Sequence, residues 1–261
     1  MKKYIVISFI FLFLISCEKE IDIDLNQNDP KFVIEGNLSN KAGESKVKIS
    51  KTLNFDETVP YPAIRGALVT ITDNTLDQID TLSESTAGIY IKSGFAGIEG
   101  HTFTMMVKTG NEIFTAVSKM PYSVHFDSLV QENLAGSSTN GGPITFIQIT
   151  PHYTNFYNFE NYYQFVVTRN DTLIDDIFIR NDIGFNGSSS TFPLWVKANK
   201  NDIVKIDMQC IDNVVYDYLF GLSENIYQYS ATPANPTSNI DNGALGFFKA
   251  HTSQKKTISI K

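Results

Sequence analysis

HTFTMMVKTGNEIFTAV, His101 to Val117, reads as two strands folded back on a tight turn. Apolar and polar residues alternate through HTFTMMVK and again through EIFTAV, the period of a chain with one face buried in a sheet. Between them, Thr109-Gly110-Asn111-Glu112 supplies the Gly and Asn that a short hairpin connection needs.

Working outward, the same short alternation recurs towards the N-terminus in Lys31–Leu38, Ser45–Lys51, Ala67–Asp73 and Gly88–Lys92. That makes six strands in roughly 90 residues, separated by Gly, Asn and Pro, and no stretch of helical period interrupts them. The expected unit over 31–120 is an immunoglobulin-like β-sandwich. Ser93 to Gly100 carries Gly94, Gly97 and Gly100 but opens no helix, so it reads as a turn rather than a phosphate cradle.

A composition shift follows at Tyr122 to Val130 and the low-complexity Leu134 to Pro143, after which β-type segments resume. They are Ile144–Thr150, Tyr162–Asn170, Thr172–Arg180, Phe192–Ala198 and Asp202–Asp212, with Asn170-Asp171 as a hairpin turn. Asn213 to Ser230 differs: Val215, Leu219, Leu222, Ile226 and Tyr229 fall at helical spacing, which predicts a helix over about 213–229 capped by Asp212 or Asn213. Residues 121–261 are thus expected to form a second β-rich domain with one helix, making the chain mainly β.

The N-terminal residues specify an address. Lys2 and Lys3 precede an apolar run of twelve residues, Tyr4 to Ile15, too short for the about 20 that span a bilayer. A basic start, an apolar run and a small residue describe a signal peptide over 1–16. Leu14-Ile15-Ser16-Cys17 resembles the bacterial lipobox, which implies that Cys17 becomes the acylated N-terminus and anchors the protein in a membrane. Residues 17–30, acidic and closed by Pro30, read as a tether. Their alternating Asp and Asn lack the Gly and Glu of a calcium loop, Gln27 and Val33 standing in those places. With Cys17 lipidated, Cys210 is left without a disulfide partner and is expected to be a buried, inert thiol.

Net charge is −7, and near −9 once Lys2 and Lys3 are removed, with no basic run anywhere. Nucleic-acid binding, which needs clustered Lys and Arg, is not expected. The four His are scattered, no Cys-x-x-Cys or His-Glu-x-x-His occurs, and Ser138 and Ser189 miss the Gly-x-Ser-x-Gly elbow. No metal, cofactor or catalytic residue is therefore expected; Asp175-Asp176 reads as a solvated strand edge rather than a glycosidase pair. Aromatics are the unusual feature: PHYTNFYNFENYYQF, Pro151 to Phe165, sets Tyr153, Phe156, Tyr157 and Tyr162 among Asn and Thr. These four are the candidate contacts for a ligand or partner, against the alternative that alternate rings fill a core.

A lipobox followed by CEKEIDIDL, then FVIEGNLS, GALVTITD, the GIY segment, a YYQF strand, a helix and PANPTSNIDNGALGFFKA resembles, in that order, the Bacteroidota lipoproteins grouped as domain of unknown function 4249. Pro236, Asn239, Ile240, Gly243, Gly246 and Phe247 fall on that family's C-terminal positions. The resemblance implies an outer-membrane lipoprotein, often found beside a TonB-dependent transporter and serving as a non-enzymatic accessory or binding component. Glu18, Glu20, Asp22 and Asp24 resemble loosely the acidic surface-export signal of that phylum, leaving both faces of the membrane open. The alternative is a surface hydrolase whose site is assembled from residues distant in sequence.

Overall fold

A computed structural model describes residues 29–53, 59–132, 145–155, 160–183, 189–228 and 234–261. The chain is mainly β, and among the described residues it has one α-helix, near the C-terminal end.

The hairpin quoted above forms as read. Strand β6 (Thr102–Thr109) pairs antiparallel with β7 (Glu112–Lys119), and Gly110 adopts a positive φ of 57° in the turn. Upstream lie β1 (Phe32–Ser39), β2 (Lys46–Lys51), β3 (Leu68–Asp73), β4 (Gln78–Thr86) and β5 (Ile89–Ile91). Far downstream, β16 (Leu245–His251) joins β1 in a parallel pair and completes an eight-stranded sheet in the order β16-β1-β2-β5-β4-β3-β6-β7.

Strand β4 turns this sheet through its corner. Its first half pairs with β3, its second half pairs with β5, and the register shifts between Glu84 and Thr86. The two edge strands then approach each other, since Ala250 N donates to Ser118 Oγ at 2.9 Å. The sheet nearly closes into a barrel around Ile34, Leu38, Ile71, Met105, Phe114 and Phe248, all buried. Asn239 seals the gap. Its amide nitrogen donates to Val117 O and Phe248 O, and its amide oxygen accepts from Phe248 N.

The second unit packs two sheets face to face. One holds β10 (Tyr162–Arg169), β15 (Ile203–Ile211) and β17 (Gln254–Ser259), with β11 (Thr172–Leu173) and β12 (Phe178–Asn181) along the other side of β10. The other holds β8 (His125–Glu132), β9 (Thr145–Thr154), β13 (Ser189–Thr191) and β14 (Leu194–Ala198). Between them lie Phe126, Ile149, Tyr163, Phe165, Leu194, Val196, Ile206 and Met208. Asn170 and Asp171, with φ of 48° and 63°, make the β10–β11 turn in the doubly left-handed form that matches strand twist.

The expected single strand over Thr172–Arg180 is broken instead. Strand β11 ends at Leu173, and β12 starts at Phe178 on the same partner. Helix α1 (Asn213–Ile226) stops three residues short of the expected end, buries Val215 and Leu219, and passes into Gln228, which has a positive φ of 56°.

Candidate functional site

The aromatic stretch divides by strand alternation. Tyr153, on β9, is 1% exposed and stands 4.9 Å, ring to ring, from Tyr163, with Phe165 at 5.9 Å. Burial pushes the Tyr153 phenol up to about 12, and it raises that of Tyr163, whose hydroxyl donates to Asn155 Oδ1 at 2.6 Å. These rings fill a core, as alternate aromatics on a strand should. Tyr162 faces the other way: its ring lies 5.1 Å from that of Tyr216 on α1, and its hydroxyl donates to Glu160 Oε2 at 3.0 Å. Phe156 and Tyr157 lie outside the described residues, as does Cys17.

Tyr162 borders a cavity of about 700 Å³ where the two β units meet. Four separate segments build it. The turn at Glu99 and Gly100, the connector Lys119–Ser123 that leaves β7, the entry to β10 at Glu160–Tyr162, and the passage from β15 into α1 converge there. Pro121 and the rings of Tyr122, 64% exposed, and Tyr162 give it apolar surface, with the buried Met120 and Ile211 packed behind. A glycine is required at position 100, where φ is +85° and a β-carbon would come within 2.6 Å of the Tyr122 hydroxyl oxygen.

The polar groups around this cavity are engaged in the scaffold. Glu99 accepts from Asn40 Nδ2 through one oxygen and from Ser123 N and Oγ through the other. Asn161 donates from N and Nδ2 to Asp182, at 2.8 and 2.6 Å. Asp212 caps α1 by accepting from Val215 N and ties β7 by accepting from Ser118 Oγ and Lys119 N. Burial raises its pKa against the pull of those three hydrogen bonds. The Cys210 thiol is buried, accepts from Val124 N and is pushed up to about 11, so it is neutral and unreactive at physiological pH. What the cavity can do chemically is seat an apolar or aromatic group between fixed walls.

Other titratable residues stand apart from it. His101 bonds Asp73 at 2.8 Å, and Asp176 accepts from Tyr227. His251 is buried at the seam, and desolvation holds its pKa well below the ordinary value. Among the described residues no group of three or more His, Cys, Asp or Glu is placed to hold a metal ion, and no helix is long and apolar enough to cross a membrane.

Sequence reasoning missed this cavity because none of its four segments carries a local motif. The C-terminal signature residues prove structural. Gly246, at φ +99°, lies so close to β1 that a β-carbon would overlap the Ile34 carbonyl, and Gly243, at φ +74°, makes the turn into β16. Ile240 is buried, Pro236 packs against α1 at Gly221, and the Phe247 ring lies 5.3 Å from that of Tyr218.

No curated protein matches the chain. The family model described as Domain of unknown function (DUF4249) matches residues 18–257. That span takes in both β units, the helix and the closing strands, and the chain belongs to the DUF4249 family.

Proposed function

We propose that this protein is a non-enzymatic lipoprotein of the cell envelope, anchored in the outer membrane through acylated Cys17. There it acts as an accessory or binding component of a TonB-dependent transporter. The observation that carries the binding role is the junction cavity: apolar, of ligand size, aromatic at its rim, and bordered by carboxylates that already hold the scaffold together. The anchor is supported by Leu14-Ile15-Ser16-Cys17 and by a family match that begins at the residue after Cys17.

The test is affinity purification from detergent-solubilised membranes, comparing wild type with Tyr122→Ala and Tyr162→Ala. A transporter should co-purify with wild type and be depleted in the variants. Equal recovery in all three would remove the cavity from the interaction, and no transporter in any would remove the partner. Cys17→Ala should move the protein from the membrane to the soluble fraction. Protease shaving of intact cells then reads which face of the membrane it occupies, full protection marking the periplasmic face.

A further inference from the structure

The outer face of the β8–β9–β14 sheet carries the chain's sole tryptophan. Trp195, on β14, is 46% exposed, and Phe146, on β9, is 50% exposed. Register places them on one face: Trp195 is directly opposite Gln148, and Lys197 is directly opposite Phe146. The two residues are thus diagonal neighbours, about 7–8 Å apart, a separation that aromatic side chains reach across. On the far side of β9, Glu132 stands opposite Gln148 and Val130 opposite Thr150, so β8 extends the same face.

The polar groups among the rings are held in place. Gln148 Nε2 donates to Glu132 Oε2 at 2.7 Å and to Thr150 Oγ1 at 3.3 Å, which leaves the amide oxygen and the second carboxylate oxygen with acceptor capacity. The Lys197 ammonium lies 5.2 Å from the Phe146 ring centroid, where a cation is favoured. One Glu and one Lys flank the rings, and Asp127, which accepts from Thr154 Oγ1, adds a further carboxylate along the same face. Exposing a Trp and a Phe on a flat strand surface has a solvation cost, which is offset when a ligand covers them.

We propose that this face is a saccharide-binding platform. A pyranose ring presents a C–H face to an aromatic plane and hydroxyls at its rim, and this surface offers both complements on one pleat: Trp195 and Phe146 for the C–H faces, Gln148, Glu132 and Lys197 for the hydroxyls. An anionic membrane would need an excess of Lys or Arg, which this face lacks, while the paired Lys197 and Glu132 beside the rings suit a neutral, hydroxyl-rich ligand. The proposal stands independently of the junction cavity and of the anchor.

Because Trp195 is the sole tryptophan, its fluorescence reports on this face alone. The probes are neutral hexasaccharides of glucose (α- and β-linked), xylose and mannose. At least one should protect Trp195 from iodide quenching and should retard the protein in gels containing the corresponding polysaccharide. Phe146→Ala and Gln148→Ala should each weaken protection by about tenfold or more, and Trp195→Ala should abolish retardation while its thermal unfolding stays cooperative. No protection by any of the four overturns the proposal, as does protection unchanged in Phe146→Ala. A blue shift of Trp195 emission on phosphatidylglycerol vesicles without saccharide protection also overturns it, and assigns the face to a membrane.

Discussion

Ser118 Oγ donates to Asp212 Oδ2 at 2.6 Å, joining the closing strand of the first β unit to the residue that starts the helix of the second. Ser118 also accepts from Ala250 N, so three elements, β7, β16 and α1, meet at this pair. Asp212→Ala removes a helix cap, worth about 1 kcal/mol, and strands the buried Ser118 hydroxyl at about 1–3 kcal/mol more. Urea denaturation should show a total loss of about 2–4 kcal/mol. Asp212→Asn, which keeps one acceptor, should lose roughly half as much; equal losses would mean that the two oxygens do not act separately.

Gly246 and Gly243 both adopt positive φ, yet they should respond differently to the same substitution. A β-carbon at 243 meets open space, so Gly243→Ala should cost about 1–2 kcal/mol from the left-handed backbone alone. At 246 the β-carbon would overlap the Ile34 carbonyl across the parallel β1–β16 pair, where neither backbone can move without breaking the ladder. Gly246→Ala should cost about 4 kcal/mol or more. Thermal unfolding of the two variants side by side checks the order.

Much of the first unit was legible because its strands alternate and its turns carry Gly and Asn. β1, β2, β3, β5, β6 and β7 all fall where those patterns predict. β4 was missed because QIDTLSEST is largely polar and buries only Asp80 and Leu82. β16 was missed for the opposite reason: it is buried on both faces, from Phe248 to His251 without a break, and its partner lies some two hundred residues away, so neither period nor proximity marks it. The cavity follows the same logic. Only Tyr162 among the residues around it was expected to contact a ligand; Gly100, Cys210 and Asp212 stood out for structural reasons, and the segments that carry them converge only in the fold.

The Asn170-Asp171 turn leaves room for stabilisation. Asn170 must stay, because its side chain accepts from Ile203 N and donates to Asp202. Asp171 has only a 3.5 Å contact with Lys205 at the exposed end of its side chain. Asp171→Gly relieves its left-handed backbone and should raise stability by up to about 1 kcal/mol. Unchanged or lower urea stability would show that the Lys205 contact or chain entropy outweighs that relief.

Lys249 should make stability depend on pH in the alkaline range. Its ammonium is buried at the seam, donating to Gln164 Oε1 and Gln209 Oε1 at 2.7 Å each, while Gln209 passes the contact on to Asp207. Desolvation lowers its pKa from 10.5 to about 7, against the opposing pull of Asp207 and with the help of Lys46. Below about 7 the folded and unfolded chains both hold the proton, and this group adds no slope. Between about 7 and 10.5 only the unfolded chain holds it, so unfolding takes up a proton and stability rises with pH, at most about 1.4 kcal/mol per unit. Lys249→Met should flatten that rise whatever it does to stability at pH 6.5. Urea denaturation of both proteins at pH 6.5, 8 and 9.5 measures the difference in slope; parallel curves would show that Lys249 keeps its proton in the folded state well above neutrality.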